Sequence, residues 1–235
     1  MDTATPQLPV DRVRGEVLGA LERGPVVLSS PTGSGKSTQV PRWCPGPVLV
    51  VEPRRVACRS LAQRVAALEG TDLGDGVGYR VRDERRAGPS TRILFATPGV
   101  VLRLFDRLDR FATVIVDEFH ERGLEVDLLL ALLLERRRAG AEGRLVIMSA
   151  TLDAGAIARH VCGAAIEAEG RAFPVAVRHL PGSALLPDVR GLEDRVRQAL
   201  VAAAELPGDV PGDRPGVEGG GHDHQSTLRP RPATL

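Results

Sequence analysis

The chain has 235 residues, of which 43% are hydrophobic and 26% charged, and its formal net charge is +1. This length and apolar content suffice for one well-packed domain with an appendage. The near-neutral charge excludes a protein that attracts nucleic acid through its overall charge, so any such contact must come from local basic patches.

The basic residues are almost entirely arginine. Only one of the 31 basic residues is a lysine, Lys36, and the chain contains no asparagine. Because lysine and asparagine both have A-rich codons, we infer a GC-rich gene, so much of the arginine bias is mutational. The one retained lysine indicates a place among phosphate oxygens, where a compact ammonium fits and a planar guanidinium fits poorly.

The cysteines and the apolar blocks indicate in which cellular compartment the protein is expected. Cys44, Cys58 and Cys162 are too widely spaced for a zinc knuckle or a redox pair, so we expect reduced core thiols in a cytoplasmic protein. The longest apolar block, Leu128 to Leu134, is far shorter than the roughly 20 residues that span a bilayer. No export signal is apparent, and we expect no membrane association.

Short apolar runs alternate with helical stretches along the chain. Each run is rich in valine, isoleucine and leucine, which is typical of a buried parallel strand. The alternation predicts an α/β fold with a mostly parallel sheet and helices on both faces. In chain order we predict a helix at Asp11 to Glu22, strands at Val26 to Ser29 and Val48 to Val51, a helix at Val56 to Leu68, a strand at Ile93 to Ala96, a helix at Val100 to Leu108, a strand at Val114 to Val116, a helix at Leu124 to Arg138, a strand at Leu145 to Met148 and a helix at Ala154 to Cys162.

The C-terminal third suggests an exit from this domain. The helix at Leu124 to Arg138 is apolar on nearly every side, so we expect it to be buried against the sheet. A further apolar run at Val175 to Leu180 and a helix at Asp188 to Leu206 follow. From residue 207 onward, 11 of 29 residues are proline or glycine. We therefore predict one domain over residues 1–180, a connector over residues 181–206 and a disordered tail over residues 207–235.

A glycine-rich loop follows the first predicted strand. Its glycine backbones would turn amide N–H groups toward phosphates at the start of a helix, and Lys36 would reach the β and γ phosphates. Ser37 would offer a hydroxyl to Mg²⁺. Ser30 stands where the phosphate-loop pattern has its first glycine, and a purely structural turn is the alternative. The predicted nucleotide-binding residues are Thr32, Gly33, Ser34, Gly35, Lys36, Ser37 and Thr38.

An acidic pair completes this predicted site. Asp117 follows the predicted strand Val114 to Val116, where it would provide a second protein contact to Mg²⁺, and Glu118 would polarise the attacking water. We expect the loop and the acidic pair to meet at the carboxyl ends of adjacent strands. A GTPase is excluded because the chain lacks the Asn-Lys-x-Asp element, and a small-molecule kinase is a remote alternative.

Four short motifs occur in a fixed order beyond the loop. The motifs are Pro53-Arg54-Arg55-Val56-Ala57, Thr97-Pro98-Gly99, Asp117-Glu118-Phe119-His120 and Ser149-Ala150-Thr151. Together with the loop they resemble superfamily 2 helicases of the DEAH/RHA type, and Gly76 to Arg82 also agrees. Phe119 in place of the usual alanine is similar to the bacterial HrpB-like branch of ATP-dependent RNA helicases. The resemblance covers about residues 8 to 206 and implies a RecA-like ATP-binding domain.

The resemblance implies a division of labour among these residues. It implies ATP and Mg²⁺ as cofactors, with Lys36, Asp117 and Glu118 as catalytic residues and Ser37 and Asp117 as metal ligands. Single-stranded RNA is the implied partner, with DNA left open. The implied coupling residues are His120, Ser149 and Thr151, and the implied contacts to the sugar-phosphate backbone are Arg54, Arg55 and Thr97.

Each of these assignments has a plainer alternative. Arg54 and Arg55 are compatible with a helix start or with surface ion pairs, and His120 with a buried, hydrogen-bonded histidine. Ser149 and Thr151 fit an ordinary helix N-cap after a strand. The segment from Gly78 to Arg82 by itself indicates only an edge strand.

Motors of the resembling family close ATP between two RecA-like domains, the second of which supplies arginine fingers. We find no Gln-x-x-Gly-Arg-x-Gly-Arg pattern late in the chain. We therefore expect the second domain to be missing from this chain, hydrolysis to be slow and unwinding to need more than this polypeptide. A frameshift or premature end in the gene is one hypothesis for its absence. The alternative function is a nucleotide-gated RNA-binding or regulatory module without helicase activity.

Overall fold

The computed structural model of the chain describes residues 7–150, 153–170 and 189–204. The chain divides into one unit over residues 1–174 and another over residues 175–235. The described strands all belong to the first unit, whereas the second contributes a single described helix. The predicted boundaries at residues 180 and 206 stay predictions.

The described strands form one sheet. They are β1 (Val26–Ser29), β2 (Val48–Val51), β3 (Val77–Val81), β4 (Glu84–Arg86), β5 (Ile93–Ala96), β6 (Thr113–Val116), β7 (Arg144–Ser149) and β8 (Ala164–Glu167). Their order across the sheet is β4-β3-β5-β2-β6-β7-β1-β8. Neighbours run parallel throughout, except that β3 and β4 form an antiparallel pair.

Helices connect most of the parallel strands, because parallel neighbours cannot be joined by a tight turn and need a crossover connection. Short 3₁₀ segments lie at Pro9–Val13, Phe105–Arg110 and Phe119–Glu121. The α-helices are α1 (Arg14–Leu21), α2 (Lys36–Trp43), α3 (Arg55–Glu69), α4 (Pro98–Arg103), α5 (Leu124–Arg138), α6 (Ala154–Val161) and, in the second unit, α7 (Val189–Ala204).

Consecutive strand residues alternate between two cores, one on each face of the sheet. In β1, Val26 and Leu28 pack in the core that contains residues of α1, α2 and α3, whereas Val27 packs in the core that contains residues of α4, α5 and α6. Burial on both faces explains why the strands are nearly continuous apolar runs. The predicted α/β architecture with helices on both faces is thereby confirmed.

All five predicted strands are present, and β1, β2 and β5 have the predicted bounds. The strands β4 and β8 were not predicted, and the region of β3 was predicted to be at most an edge strand. That interpretation was wrong, because β3 lies between β4 and β5. Gly78 weakens the strand pattern but is needed there, since a Cβ would stand 2.4 Å from the Arg86 carbonyl oxygen.

The helix predictions hold with two corrections. The helix α5 has the predicted bounds and is buried against the sheet as predicted, although Leu124 and Leu128 are exposed. The helix predicted to start at Asp11 becomes α-helical only at Arg14, after a 3₁₀ segment. The helix predicted to run from Val100 to Leu108 ends at Arg103 and gives way to a 3₁₀ segment. The predicted helix at Asp188 to Leu206 is confirmed by α7, and the apolar run at Val175 to Leu180 and the predicted disordered tail lie outside the described residues.

The cysteine prediction is correct for two of the three thiols. Cys44 and Cys58 are buried, and burial raises the pKa of each thiol to about 12. Cys162 is not a core residue, because it ends α6 in the left-handed conformation and is exposed. None of the described helices combines the length and hydropathy that a bilayer crossing needs.

The two faces of α5 make a matched stability test. Leu129 is fully buried in the core, whereas Leu124 is 85% exposed. We predict that Leu129→Ala lowers the free energy of unfolding by about 2–5 kcal/mol and that Leu124→Ala changes it by less than about 0.5 kcal/mol. Urea denaturation of both variants measures the difference, and equal effects would contradict the placement of α5.

Candidate functional site

The glycine-rich loop connects β1 to α2 at the carboxyl edge of the sheet. Gly33 and Gly35 have φ angles of 83° and 94°, a region that glycine adopts without strain. A Cβ at Gly35 would stand 2.6 Å from a side-chain carbon of Leu8. Both glycines are therefore required by the backbone, as a phosphate-binding turn before a helix would need.

Ser30, which replaces the first glycine of the usual phosphate-loop pattern, fits into the loop without exposing its hydroxyl. It is buried, and its hydroxyl lies 2.7 Å from the hydroxyl of Ser34, which is also buried. The Ser34 carbonyl in turn accepts the backbone N–H of Val10 at 3.2 Å. The loop is thus fixed from within and by the N-terminal 3₁₀ segment.

Lys36 begins α2 and is buried, with a side chain only 4% exposed. A buried ammonium needs a charged partner. Its Nζ lies 3.3 Å from Oε1 of Glu118. The predicted meeting of the single lysine with the acidic pair is therefore present in the structure.

Asp117 is buried directly after β6. Its Oδ1 accepts the backbone N–H of Glu118 at 2.8 Å, and the Ser37 side chain lies near enough to the carboxylate to act on its pKa. Burial raises the pKa of Asp117 to about 6, against the lowering effect of Ser37. Among the described residues Oδ2 has no hydrogen-bond partner.

The strands that present these groups are not adjacent, contrary to the prediction. Asp117 and Glu118 follow β6, the loop follows β1, and β7 lies between them. Ser149 ends β7 and is buried, and its carbonyl accepts the backbone N–H of Ser30 at 3.0 Å. The last residue of β7 therefore stands beside the loop, in the space between the two halves of the site.

Glu118 and His120 form the turn after β6. Glu118 has φ 49° and ψ 38°, which is uncommon for a residue with a Cβ and is found at functional sites. Its Oε2 lies 3.2 Å from Nδ1 of His120, and the same nitrogen accepts the backbone N–H of Ala150 at 3.4 Å. Nδ1 accepts from Ala150 when it carries no proton and donates to Glu118 when it does.

The helix-cap alternative for the Ser-Ala-Thr motif does not hold for Ser149. The N-cap of α6 is Asp153, whose Oδ1 accepts the backbone N–H of Ala156 at 3.0 Å. Thr151 lies outside the described residues. His120 is partly buried and is hydrogen-bonded to Ala150, so the alternative of a merely structural histidine stays open.

The predicted backbone-contact residues lie in two loops that follow β2 and β5. Arg54 is exposed and pairs with Glu121, with Nε 3.1 Å from Oε2, so the surface ion pair considered above is present. Arg55 begins α3 and donates to the Arg82 carbonyl at 3.0 Å. Thr97 precedes α4, and its carbonyl accepts the backbone N–H of Val100 at 2.9 Å.

An open cleft of about 700 Å³ separates these loops from the turn after β6. Arg55 and Thr97 line it, as does Glu118, which also reaches Lys36. The Glu118 carboxylate thus contacts the glycine-rich loop region through Lys36 and also lines the cleft. The cleft is also lined by residues that the sequence analysis did not select, including Arg82, Arg103, Glu121 and Arg122.

Glu52 is a further residue that the sequence analysis missed. It follows β2 directly and is buried, and the register of β2 with β6 places it beside Asp117. Its Oε1 accepts the backbone N–H of Arg54 at 3.1 Å. The signal was available, because an acidic residue right after a buried strand is what selected Asp117.

Comparison with known proteins agrees with this geometry. The sequence profile of the family described as DEAD/DEAH box helicase matches residues 14–159. This chain belongs to the DEAD/DEAH box helicase family. The match covers the glycine-rich loop, the acidic pair and the Ser-Ala-Thr motif. The structure brings the loop, the acidic pair and Ser149 to one edge of the sheet.

Individual relatives of this helicase domain are named as RNA helicases. It is 43% identical over 215 residues to ATP-dependent RNA helicase HrpB of Escherichia coli strain K12, covering 85% of this chain and 25% of that protein. It is 38% identical to human ATP-dependent RNA helicase DHX29 over 196 residues, covering 74% of this chain and 14% of the relative. The chain thus spans about a quarter or less of the length of these curated relatives.

A solved structure supports the same grouping. The crystal structure of the Escherichia coli DEAH/RHA helicase HrpB matches with a TM-score of 0.72 at 41% sequence identity, covering 83% of this chain and 26% of that chain. The resemblance to the DEAH/RHA type and to its HrpB-like branch is confirmed. The RecA-like fold expected from that resemblance is confirmed as well.

The buried Glu52 predicts a pH-dependent stability. Burial, and next the neighbouring Asp117 carboxylate, raise the pKa of Glu52 from 4.5 to about 8. Between these values the unfolded chain binds fewer protons than the folded chain, so the free energy of unfolding falls as pH rises. We predict that Glu52→Gln removes this part of the slope, so that the variant gains stability relative to wild type between pH 5 and pH 8.

Urea denaturation at both pH values measures this gain. Glu135→Gln is the matched control, because Glu135 is an exposed glutamate that pairs with Arg138 on the surface of α5. The control should keep the wild-type slope. A Glu52→Gln slope that equals the wild-type slope would show that the carboxylate is ionised throughout this range.

Proposed function

We propose that this chain is the ATP-binding domain of an ATP-dependent RNA helicase, and that it couples the state of a bound nucleotide to contacts with an RNA backbone. One observation carries the proposal. The Lys36 ammonium lies 3.3 Å from the Glu118 carboxylate, and the same carboxylate lines the cleft beside Arg55 and Thr97. Nucleotide chemistry and nucleic-acid contact would share this residue.

The residues at the loop suit a nucleoside triphosphate. The glycine turn and the start of α2 supply backbone N–H groups and a positive helix end. Lys36 would exchange its contact with Glu118 for phosphate oxygens, and the released Glu118 carboxylate would then orient a water and accept its proton. Both groups are buried or partly buried, so their charges act with little screening by solvent.

The donors beside the loop also suit Mg²⁺. Asp117 has a buried carboxylate oxygen without a hydrogen-bond partner in the described residues, and the Ser37 hydroxyl lies next to this carboxylate. No group of three or more His, Cys, Asp or Glu side chains in the described ranges could hold a metal alone. Mg²⁺ fits such a sparse oxygen site because it takes most remaining ligands from phosphates and water. When bound, it would neutralise charge on the phosphates.

The cleft suits a sugar-phosphate backbone better than bases. The described lining includes four arginines, Arg55, Arg82, Arg103 and Arg122, and no aromatic side chain. Arginine side chains bind phosphates whatever the base sequence. We therefore propose binding to single-stranded RNA that is independent of sequence and sensitive to salt.

Nucleotide binding is tested with a fluorescent ATP analogue. We predict that Lys36→Ala abolishes Mg²⁺-dependent binding and that Lys36→Arg does not restore it, because the guanidinium does not fit a point-charge site. Glu118→Gln should keep nucleotide binding and lower RNA-stimulated hydrolysis by about 10²-fold or more. Binding by Lys36→Ala equal to wild type would refute the assignment of the loop.

RNA binding is tested by anisotropy with a labelled single-stranded oligonucleotide. We predict that the double variant Arg54→Ala, Arg55→Ala weakens binding at low salt by about tenfold and lowers the log–log salt slope by roughly 1 to 2. The matched control is Arg23→Ala, Arg138→Ala, which removes two exposed arginines that lie outside the cleft. Equal losses in both double variants would show that only net charge matters.

A further inference from the structure

Arg54 is held at two points by carboxylates from two different parts of the carboxyl edge. The Glu52 side chain, after β2, accepts the Arg54 backbone N–H at 3.1 Å. The Glu121 side chain, in the turn after β6, accepts Nε of the Arg54 guanidinium at 3.1 Å through Oε2 and pairs with Nη2 through Oε1. Backbone and side chain are thus fixed independently.

The mode of pairing leaves part of the guanidinium open. A guanidinium offers five N–H donors in a planar fork, and a carboxylate that contacts Nε and Nη2 occupies only one edge. The other edge, formed by Nη1 and the outer hydrogen of Nη2, remains available for a second bidentate partner. The Arg54 side chain is 70% exposed, so solvent and ligands reach that edge.

The neighbouring charges do not compete for this carboxylate. Arg122, the next residue after Glu121, is bound in a bidentate pair by Asp127 at 2.9 Å and 3.0 Å. Glu118, at the start of the turn, is engaged by Lys36 and His120. Glu121 is therefore the carboxylate of this turn that pairs with Arg54, and it is itself one of the residues that line the cleft.

Stability alone gives little reason for the pair. An ion pair whose arginine is this exposed contributes little to folding, because solvent screens it and the long side chain loses rotamer freedom. The same ordering helps a later binding step, since a side chain that is already immobilised loses less entropy when it binds a phosphate.

We propose that Glu121 is a positioning residue for nucleic-acid binding, which holds the Arg54 guanidinium at the rim of the cleft with its free edge presented to a backbone phosphate. The inference rests on the proposed contact between Arg54 and RNA. It adds a residue that touches no nucleic acid and acts only through Arg54.

The test uses the sign of the change in affinity. Glu121→Gln removes a negative charge beside the cleft, and simple electrostatics requires tighter binding of a polyanion. Positioning requires the opposite, because the amide no longer fixes the guanidinium. We expect the labelled single-stranded RNA to bind roughly threefold to tenfold more weakly to Glu121→Gln in low salt, with a smaller salt slope.

A double-mutant cycle separates positioning from general damage. In the Arg54→Ala background Glu121→Gln should leave RNA affinity unchanged or slightly tighter, because its only target is gone. Glu22→Gln, which removes an exposed carboxylate paired with Arg144 outside the cleft, is the control for net charge and should bind like wild type. Urea denaturation checks that all variants fold.

Each outcome decides between the ideas. Tighter or unchanged binding by Glu121→Gln overturns the inference, as does an equal loss of affinity in the Arg54→Ala background. If Arg54→Ala weakens binding but Glu121→Gln does not, the proposed function survives and only the positioning role fails. If the wild-type chain binds no RNA at all, the proposed function itself fails.

Discussion

The contact between Lys36 and Glu118 is the interaction on which the organisation of the site depends. The loop follows β1 and the acidic pair follows β6, with β7 between them. Two strand spacings separate these points by about 10 Å, which only long side chains bridge. An ammonium on a four-carbon stem and a glutamate meet across that gap at 3.3 Å. The contact neutralises each charge only in part. The Lys36 ammonium is therefore available to an anionic ligand, and the Glu118 carboxylate is available to a cation or a proton.

Two buried carboxyl groups, Glu52 and Asp117, lie side by side at this edge of the sheet. Glu52 and Asp117 follow neighbouring strands in register, and both have raised pKa values because burial disfavours the ionised form. Lys36 offsets part of this negative charge, but it engages Glu118, one residue further along. A cation bound at the free oxygen of Asp117 would relieve the remaining repulsion. The folded chain therefore carries an electrostatic cost that the proposed Mg²⁺ would lower, which is how folding and ligand binding become linked.

Sequence patterns predicted those parts of the structure whose signals are local. Buried parallel strands are continuous apolar runs, so β1, β2, β5, β6 and β7 were recognisable, and Gly33 and Gly35 marked a turn that needs positive φ. By contrast, β4 contains only charged residues and β8 is rich in alanine, and both are strands because a neighbour pairs with them. The residue types of the site were predictable, including the acidic Glu52 directly after β2. The position of β7 between the two halves of the site and the pairing of Arg54 with Glu121 depend on strand order and register, which no local pattern contains.

The turn after β6 brings three contacts together within four residues. Glu118 reaches Lys36, His120 accepts the Ala150 N–H beside β7, and Glu121 holds Arg54. Residues with positive φ, Glu118 and Arg122, flank the buried Phe119, so the turn has little freedom to deform internally. Rigidity alone does not transmit a signal, because transmission needs two discrete arrangements. In the proposed coupling role of His120, Nδ1 would provide them, because it can accept from Ala150 or, when it carries a proton, donate to Glu118. A nucleotide that drew Lys36 away from Glu118 would then change which arrangement is favoured, and Glu121 is on the same turn.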